Sequence, residues 1–211
     1  MNKHKPLVLI GGGGHASVLA DILLGQGRDI VAVISPDDLS SRAVFTGLVH
    51  LTQDEEVKRF SPENVHLVNG IGMLPRSMLR QRVNQQFLEL GYQFETVIAS
   101  DAHVSRFATI HSGVQILSGA RVQTGAVIGE YTIVNSAALV EHDCQIGAYN
   151  HIAPRATLCG GISSEELVFI GAGAVICPGV SLGRKCIVGA GVTIRSDVLA
   201  GITAVTEVKA R

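Results

Sequence analysis

The polar segment from Asn135 to Gly161 contains the residues of this sequence best suited to chemistry. Within it His142 is followed directly by Asp143. An imidazole takes up a proton near neutral pH, and a neighbouring carboxylate can fix its tautomer and strengthen it as a base. His151 is a second candidate, nine residues further along. We therefore predict that His142 is a general base and that His151 is a second, separate site residue.

The elements that must position these histidines follow from a six-residue period. In steps of six from Val104 to Ile194 every position is aliphatic except Ser164, and two residues earlier in each hexad stands a residue that is mostly small. This pattern is typical of a hexapeptide β-helix, in which each hexad forms a short strand and a turn and three hexads complete one coil. A β-sandwich is the alternative, but its two-residue alternation would not keep one phase in six.

The hexad register orients both histidines. His142 follows the inward Val140 by two positions and should point outward. His151 lies half an eighteen-residue coil away from it, and therefore on a different part of the prism. The two could serve one site only if a neighbouring protomer, as in a trimer, brings its own surface against the first. The alternative is that both are solvated or locally hydrogen-bonded histidines.

The chain begins with a different pattern. Apolar runs at Pro6–Ile10 and Ile30–Ile34 flank a glycine-rich turn and a stretch with helical spacing, which predicts a βαβ unit. Gly11, Gly13 and Ala16 match a relaxed GxGxxA pattern, in which amides at a helix N-terminus approach a phosphate. The pattern predicts a nucleotide-diphosphate site, and a glycine turn needed only for packing is the alternative. NAD-dependent redox chemistry is disfavoured, because the acidic residue expected about twenty positions on to hold a ribose is not cleanly present and Asp37 comes late.

The parallel pattern continues to the end of the first domain. Val65–Asn69 predicts a third strand, and Thr96–Ala99 is expected to close the domain. A helix between them should present one apolar face, formed by Leu79, Val83, Phe87 and Leu90. The predicted organisation is an α/β domain over residues 1–99 followed by a β-helix over residues 100–211.

Composition excludes several classes of function. The 211 residues carry a formal charge of −1 and no Lys/Arg block, which argues against a nucleic-acid partner. The apolar runs are too short to cross a membrane and no signal-peptide pattern stands at Met1, so a cytoplasmic location is expected.

The four cysteines form no CxxC pair, and Cys144 and Cys186 fall on the small inward track as core filler. Histidines paired at i and i+5, as expected for a trimeric β-helix zinc enzyme, are absent, so no metal is predicted.

Three stretches together carry a family resemblance: the glycine-rich turn ending in Gly-His, VEHDCQIGAYNHIAPRATLCGG in the repeats, and VFIGAGAVICPGVSLG after it. The chain resembles bacterial sugar acyltransferases of the sialic acid O-acetyltransferase type, most closely the N-acetyltransferases that modify the 4-amino group of a nucleotide-linked, bacillosamine-type sugar. The resemblance implies a homotrimer. Each protomer would have a Rossmann-like sugar-nucleotide domain and a left-handed β-helix that binds acetyl-CoA between protomers.

The resemblance also implies roles for individual residues. His142 matches the general base and Asp143 the carboxylate that strengthens it. Asn135 matches an asparagine near the reacting amine, and Gly160 a glycine whose amide faces the thioester oxygen. Further matches are, for acetyl-CoA, His151, Ala172 and Ala190, and, for the sugar nucleotide, Gly13, Gly14, His15 and Gly72.

The implied function is acetyl transfer from acetyl-CoA to the amino group of a nucleotide-linked amino sugar, for bacterial surface glycan or glycoprotein biosynthesis. O-acetylation of a sugar hydroxyl and a non-catalytic sugar-nucleotide-binding β-helix are the alternatives. The nucleotide carrier and the sugar stay open, since Ser35 and Pro36 replace acidic residues sometimes found at the nucleotide site. The C-terminal AVTEVKAR departs from the family's usual ending, so coenzyme contacts there are expected to differ.

Overall fold

A computed structural model describes residues 4–205 of the chain. The chain divides into two compact units, Met1–Val97 and Ile98–Arg211, whereas the sequence analysis predicted a domain boundary after Ala99. Residues 206–211, which hold most of the divergent C-terminal sequence, lie outside the described part.

The strands and α-helices of the first unit are β1 Leu7–Ile10, α1 Gly14–Gly25, β2 Ile30–Ile34, β3 Val49–Leu51, β4 His66–Asn69 and α2 Leu79–Glu89. The four strands form a parallel sheet with the order β3-β2-β1-β4. The strands predicted at the first, second and fourth of these β positions are confirmed. Strand β3 was not predicted, because it is short, lies at the sheet edge and buries only Leu51.

Helix α2 buries a narrower face than its sequence predicted. Helix α2 buries Val83 and Phe87, but Leu79 and Leu90 are 45% and 43% exposed, so their predicted place on the apolar face was wrong. Leu79 is the first residue of α2 and Leu90 follows its last residue, which leaves both at the helix ends. Leu79 instead lines a cavity described below.

The second unit is a run of two-residue strands in the predicted hexad register. They are β5 Val97–Ile98, β6 His103–Val104, β7 Thr109–Ile110, β8 Gln115–Ile116, β9 Arg121–Val122, β10 Val127–Ile128, β11 Ile133–Val134, β12 Leu139–Val140, β13 Gln145–Ile146, β14 His151–Ile152, β15 Thr157–Leu158, β16 Ser163–Ser164, β17 Phe169–Ile170, β18 Val175–Ile176, β19 Ser181–Leu182, β20 Ile187–Val188, β21 Thr193–Ile194 and β22 Thr203–Ala204.

These strands form three parallel sheets, which makes the unit a parallel β-helix consistent with the predicted left-handed one. Face 1 contains β5, β8, β11, β14, β17, β20 and β22; face 2 contains β6, β9, β12, β15, β18 and β21; face 3 contains β7, β10, β13, β16 and β19. Within the coils the aliphatic track is inward, and Val122, Val140 and Leu158 are fully buried. The small track is inward too, with Ala138, Cys144 and Cys186 fully buried.

The strand Val97–Ile98 does not close the first domain as predicted. It is the end strand of face 1, and the amide of Ala99 donates a hydrogen bond to the carbonyl of Ile116 at 2.9 Å. Its two-residue length and its register match the hexads that follow. The periodic pattern therefore begins one hexad earlier than the count from Val104 indicated.

The one polar interruption of the aliphatic track is explained by a buried hydrogen-bond network. Ser164 Oγ accepts a hydrogen bond from Nδ2 of Asn150 at 2.6 Å, and Oδ1 of Asn150 accepts one from the amide of Val168 at 2.6 Å. Asn150 is itself 1% exposed, and its backbone N–H donates a hydrogen bond to Thr132 Oγ1 at 2.9 Å. Ser164 thus satisfies a buried amide that an aliphatic residue at its position would leave without a partner.

Replacement of Asn150 by alanine is expected to lower the free energy of unfolding by about 1–3 kcal/mol, because it removes the acceptor of the buried Val168 amide and a donor to Ser164. The midpoint of thermal unfolding, measured at fixed protein concentration, tests this. Ser163→Ala is the matched control, since Ser163 is the exposed residue next to Ser164 on strand β16. Equal midpoints for the two variants would contradict a stabilising role for the network.

Candidate active site

His142 and Asp143 lie at the corner where the chain passes from face 2 to face 3, between β12 and β13. Asp143 adopts a left-handed backbone conformation with φ of 60°, which an Asp tolerates better than most residues. His142 Nδ1 and Asp143 Oδ2 are 2.8 Å apart, and the two side chains are 59% and 72% exposed. With its proton on Nδ1 the imidazole donates to the carboxylate, and Nε2 is left as the basic atom.

Two glycines one coil away make room for this pair. A Cβ on Gly160 would stand 2.6 Å from both Cε1 and Nε2 of His142, and a Cβ on Gly125 would collide with the carboxylate of Asp143. Gly160 follows His142 by eighteen residues and Gly125 precedes Asp143 by the same interval. Sequence reasoning did not include Gly125, although the eighteen-residue coil spacing was the signal that could have found it.

A second group of predicted residues lies on face 1 and at the corner where the chain passes from face 1 to face 2. Asn135 Nδ2 and His151 Nε2 are 3.3 Å apart, and the His151 ring packs against Phe169 with centroids 5.1 Å apart. His151 is only 7% exposed. Ala172 and Ala190 are exposed at the same corner, two and three coils after Asn135. Each lies one residue beyond the position that is equivalent to Asn135 in its own coil. The small side chains leave space there for an extended ligand.

The two groups lie on either side of face 2 and do not meet within one protomer. His142 is at the corner of faces 2 and 3, whereas His151 is on face 1, opposite that corner. The prediction that the two histidines occupy different parts of the prism is confirmed. The geometry brings together His142, Asp143 and Gly160, and separately Asn135 and His151.

In the first unit, a cavity of about 810 Å³ opens at the carboxyl ends of the strands and at the N-terminus of α1. Gly13, Gly14, His15 and Gly72, the four residues matched to a sugar-nucleotide site, all line it. Gly13 is the N-cap of α1 and has no side-chain cap. A Cβ there would meet no protein atom within 4 Å. A side chain at this position would therefore project away from the protein's packed atoms.

Two other glycines of the cavity wall, Gly12 and Gly70, have a different role. A Cβ on Gly12 would collide with Leu39, and one on Gly70 would stand 2.6 Å from the Cβ of Ala16. These two glycines are needed for close packing, as the packing interpretation of the glycine turn proposed. That interpretation therefore holds for Gly12 but does not explain Gly13.

Several cavity residues were not singled out from the sequence. Asp54 and Glu55 lie at the start of a 3₁₀-helix over Asp54–Arg59, and Met73 and Leu74 follow β4. Burial raises the pKa of the Asp54 carboxyl above its usual value. Leu74 is 70% exposed. No local motif marks these residues, because the sheet brings them together from separate loops.

The part of the chain that the structure describes covers residues 4–205. No cluster of three or more His, Cys, Asp or Glu side chains in this range is arranged to hold a metal ion. None of the helices in the same range has the length and apolar character needed to span a membrane.

Comparison with family models matches both units. Residues 6–87 match the PglD N-terminal domain, and residues 161–196 match the hexapeptide repeat of succinyl-transferase. A curated relative, the GDP-perosamine N-acetyltransferase of Escherichia coli O157:H7, is 35% identical over 95 residues. That match covers 45% of this chain and 43% of the relative, so the aligned part is less than half of either protein.

Solved structures match over nearly the whole chain. PerB from Caulobacter crescentus, in complex with CoA and GDP-perosamine, is 30% identical with a TM-score of 0.84, covering 96% of this chain and 94% of that one. The acetyltransferase domain of PglB from Neisseria gonorrhoeae FA1090, in complex with acetyl coenzyme A, is 30% identical with a TM-score of 0.83, covering 95% and 96%.

A β-helix of hexads that carries an exposed histidine–carboxylate pair, preceded by a parallel α/β unit, defines the class of hexapeptide-repeat transferases. The whole-length similarity narrows this class. The chain belongs to the family of nucleotide-linked amino sugar N-acetyltransferases that includes PerB and PglB.

Proposed function

We propose that this protein transfers the acetyl group of acetyl-CoA to the 4-amino group of a nucleotide-linked amino-deoxysugar, in bacterial surface glycan or glycoprotein biosynthesis. The observation that carries the proposal is the exposed His142–Asp143 pair seated against Gly160. The N-terminal unit, a Rossmann-like domain, binds the nucleotide sugar, and the left-handed β-helix binds acetyl-CoA. GDP-perosamine, found with PerB, makes a GDP-linked amino sugar the first acceptor to test.

The proposed mechanism requires no covalent enzyme intermediate, because the thioester is already activated. Nε2 of His142 removes the proton as the neutral amine attacks the carbonyl carbon, and Asp143 holds the imidazole in the required tautomer. The Gly160 amide stabilises the developing oxyanion, and the departing CoA thiolate takes the proton from His142 and leaves as the thiol. Positioned general-base catalysis contributes roughly 10²- to 10⁴-fold. Asn135 lies near the amine, and His151, Ala172 and Ala190 contact the coenzyme.

A panel assay tests the proposal. The protein is mixed with acetyl-CoA and one acceptor at a time, and released CoA is measured with a thiol reagent. We expect release with GDP-, UDP- or dTDP-linked 4-amino-4,6-dideoxysugars and none with matched 4-hydroxy sugars. Release with the hydroxy sugars alone would indicate an O-acetyltransferase. If no acceptor gave release while the nucleotide sugar still bound, the protein would be a binding protein.

The proposed assembly is a closed homotrimer, in which the corner bearing His142 faces the corner bearing Asn135 and His151 of a neighbouring protomer. Val127 and Leu139 are partly exposed apolar residues on faces 3 and 2 and suit such an interface. Light scattering at working concentration is expected to give the mass of three protomers. A fully active monomer would contradict both the trimer and the shared site.

A further inference from the structure

Cys159 and Cys177 form a pair of partly exposed thiols at the end of two neighbouring strands. Each directly follows a strand of face 2, and those strands pair in parallel with Leu158 opposite Ile176. Neighbouring strands lie about 4.7–4.9 Å apart, within the roughly 4.4–6.8 Å between Cα atoms that a disulfide spans. Both cysteines are free in the structure. The register and the strand spacing therefore place the Cα atoms of the two cysteines at a separation that a disulfide can span.

The pair also lies beside the candidate catalytic residues. Cys159 immediately precedes Gly160, which packs against the His142 ring. The remaining two cysteines are fully buried, and burial raises the pKa of the Cys186 thiol to about 11. Only the first pair therefore combines solvent access, a neighbouring thiol and proximity to the site where a thioester must react.

We propose that Cys159 and Cys177 are a thiol-modification site that reacts with coenzyme A disulfide and closes to an internal disulfide, which stops acetyl transfer. This inference rests on the proposed function, because it is the coenzyme site that would deliver the oxidised coenzyme. CoA thiol is the product released next to this pair in every turnover, and its disulfide is the oxidised form of the same molecule. No other chemical component is needed.

The reaction proceeds in two exchanges. One cysteine thiolate attacks a sulfur of coenzyme A disulfide, which forms a protein–CoA mixed disulfide and releases one CoA thiolate. The second cysteine attacks the protein sulfur of that mixed disulfide and releases the other CoA thiolate. The two protein thiols lose two electrons and two protons in total, the coenzyme disulfide gains the electrons, and its two thiolates take up the protons.

The environment of the pair slows thiol–disulfide exchange with disulfides that do not bind at the coenzyme site. Burial, the neighbouring Cys177 thiol and Glu141 raise the pKa of Cys159, so little of it is thiolate at neutral pH. A disulfide held at the coenzyme site reacts as if at high local concentration, which offsets the small thiolate fraction. Selectivity for coenzyme A disulfide over glutathione disulfide is therefore the expected signature, by at least about tenfold in rate.

Intact-mass measurement of the full chain after incubation with coenzyme A disulfide tests the inference. The wild type is expected to lose two hydrogens and to release two CoA per chain. Cys159→Ser and Cys177→Ser should each keep one CoA adduct, because the resolving thiol is missing, and the double variant should keep its mass. Cys144→Ala is the matched control for a buried cysteine and should react like the wild type.

Acetyl transfer is measured in parallel, each protein relative to its own untreated sample. Treatment should abolish transfer by the wild type, dithiothreitol should restore it, and the double variant should be insensitive. A wild type that keeps a CoA adduct, an unchanged mass, or equal rates with glutathione disulfide would each overturn the inference. Failure of the untreated protein to acetylate any acceptor would instead contradict the proposed function, since the mass changes do not depend on an acceptor.

Discussion

His142→Ala is expected to lower turnover by at least about two orders of magnitude, while folding and acetyl-CoA affinity stay nearly unchanged. The imidazole is exposed and, within residues 4–205, its hydrogen-bond partner is the adjacent and still more exposed Asp143, so its removal disturbs little packing. What is lost is the group that accepts the proton of the attacking amine. Steady-state CoA release at saturating acceptor measures the effect.

Two further variants make the His142 result specific. His103→Ala removes an exposed histidine from strand β6 of face 2 and should leave turnover close to wild type. Asp143→Asn should lower turnover less than His142→Ala, because the imidazole keeps its basic atom and loses only the charged partner. A His142→Ala protein with more than about a tenth of wild-type turnover would rule out general-base catalysis by this residue.

Gly13→Val is expected to raise the acceptor KM sharply, by about tenfold or more, equivalent to about 1.4 kcal/mol of lost binding. The backbone of Gly13 is extended, with φ of −77°, and a Cβ meets no protein atom, so valine can be accommodated in the folded protein. Its methyl groups would occupy the space where a diphosphate must approach the N-terminal amides of α1. Calorimetry with the nucleotide sugar measures the loss, and acetyl-CoA affinity should not change.

Gly25→Val is the matched control, because it places the same side chain at the other end of α1, where a Cβ is equally free of contacts. It should bind the nucleotide sugar normally. Gly12 and Gly70 are unsuitable for this purpose, since side chains there would collide with the protein itself.

The converse variant, His151→Ala, should weaken acetyl-CoA binding and leave binding of the nucleotide sugar close to normal. Because His151 is buried, its thermal unfolding must be compared with the wild type first. If Gly13→Val lost acetyl-CoA affinity and kept nucleotide-sugar affinity in a folded protein, the proposed division of labour between the units would be reversed.

Much of the β-helix could be predicted from the sequence because its rule is local. Each hexad places its own inward and outward residues, so Val140 inward and His142 outward followed from counting alone. The coil length extends this rule to residues eighteen apart, which stack on successive coils. That spacing predicts that Gly160 lies next to His142 and that Gly125 lies next to Asp143. Only the structure showed that a side chain at either glycine would collide with the histidine or the aspartate.

The sequence by itself determined the repeat, its register, the exposed histidine–carboxylate pair and the glycine turn before α1. The tertiary structure decided which glycines serve packing and which face the cavity, why Ser164 is polar, and that the walls of the cavity include Asp54 and Leu74. The physical reason is that periodicity encodes contacts at a fixed spacing, whereas cavity walls and buried hydrogen bonds join residues at irregular separations that no repeat specifies.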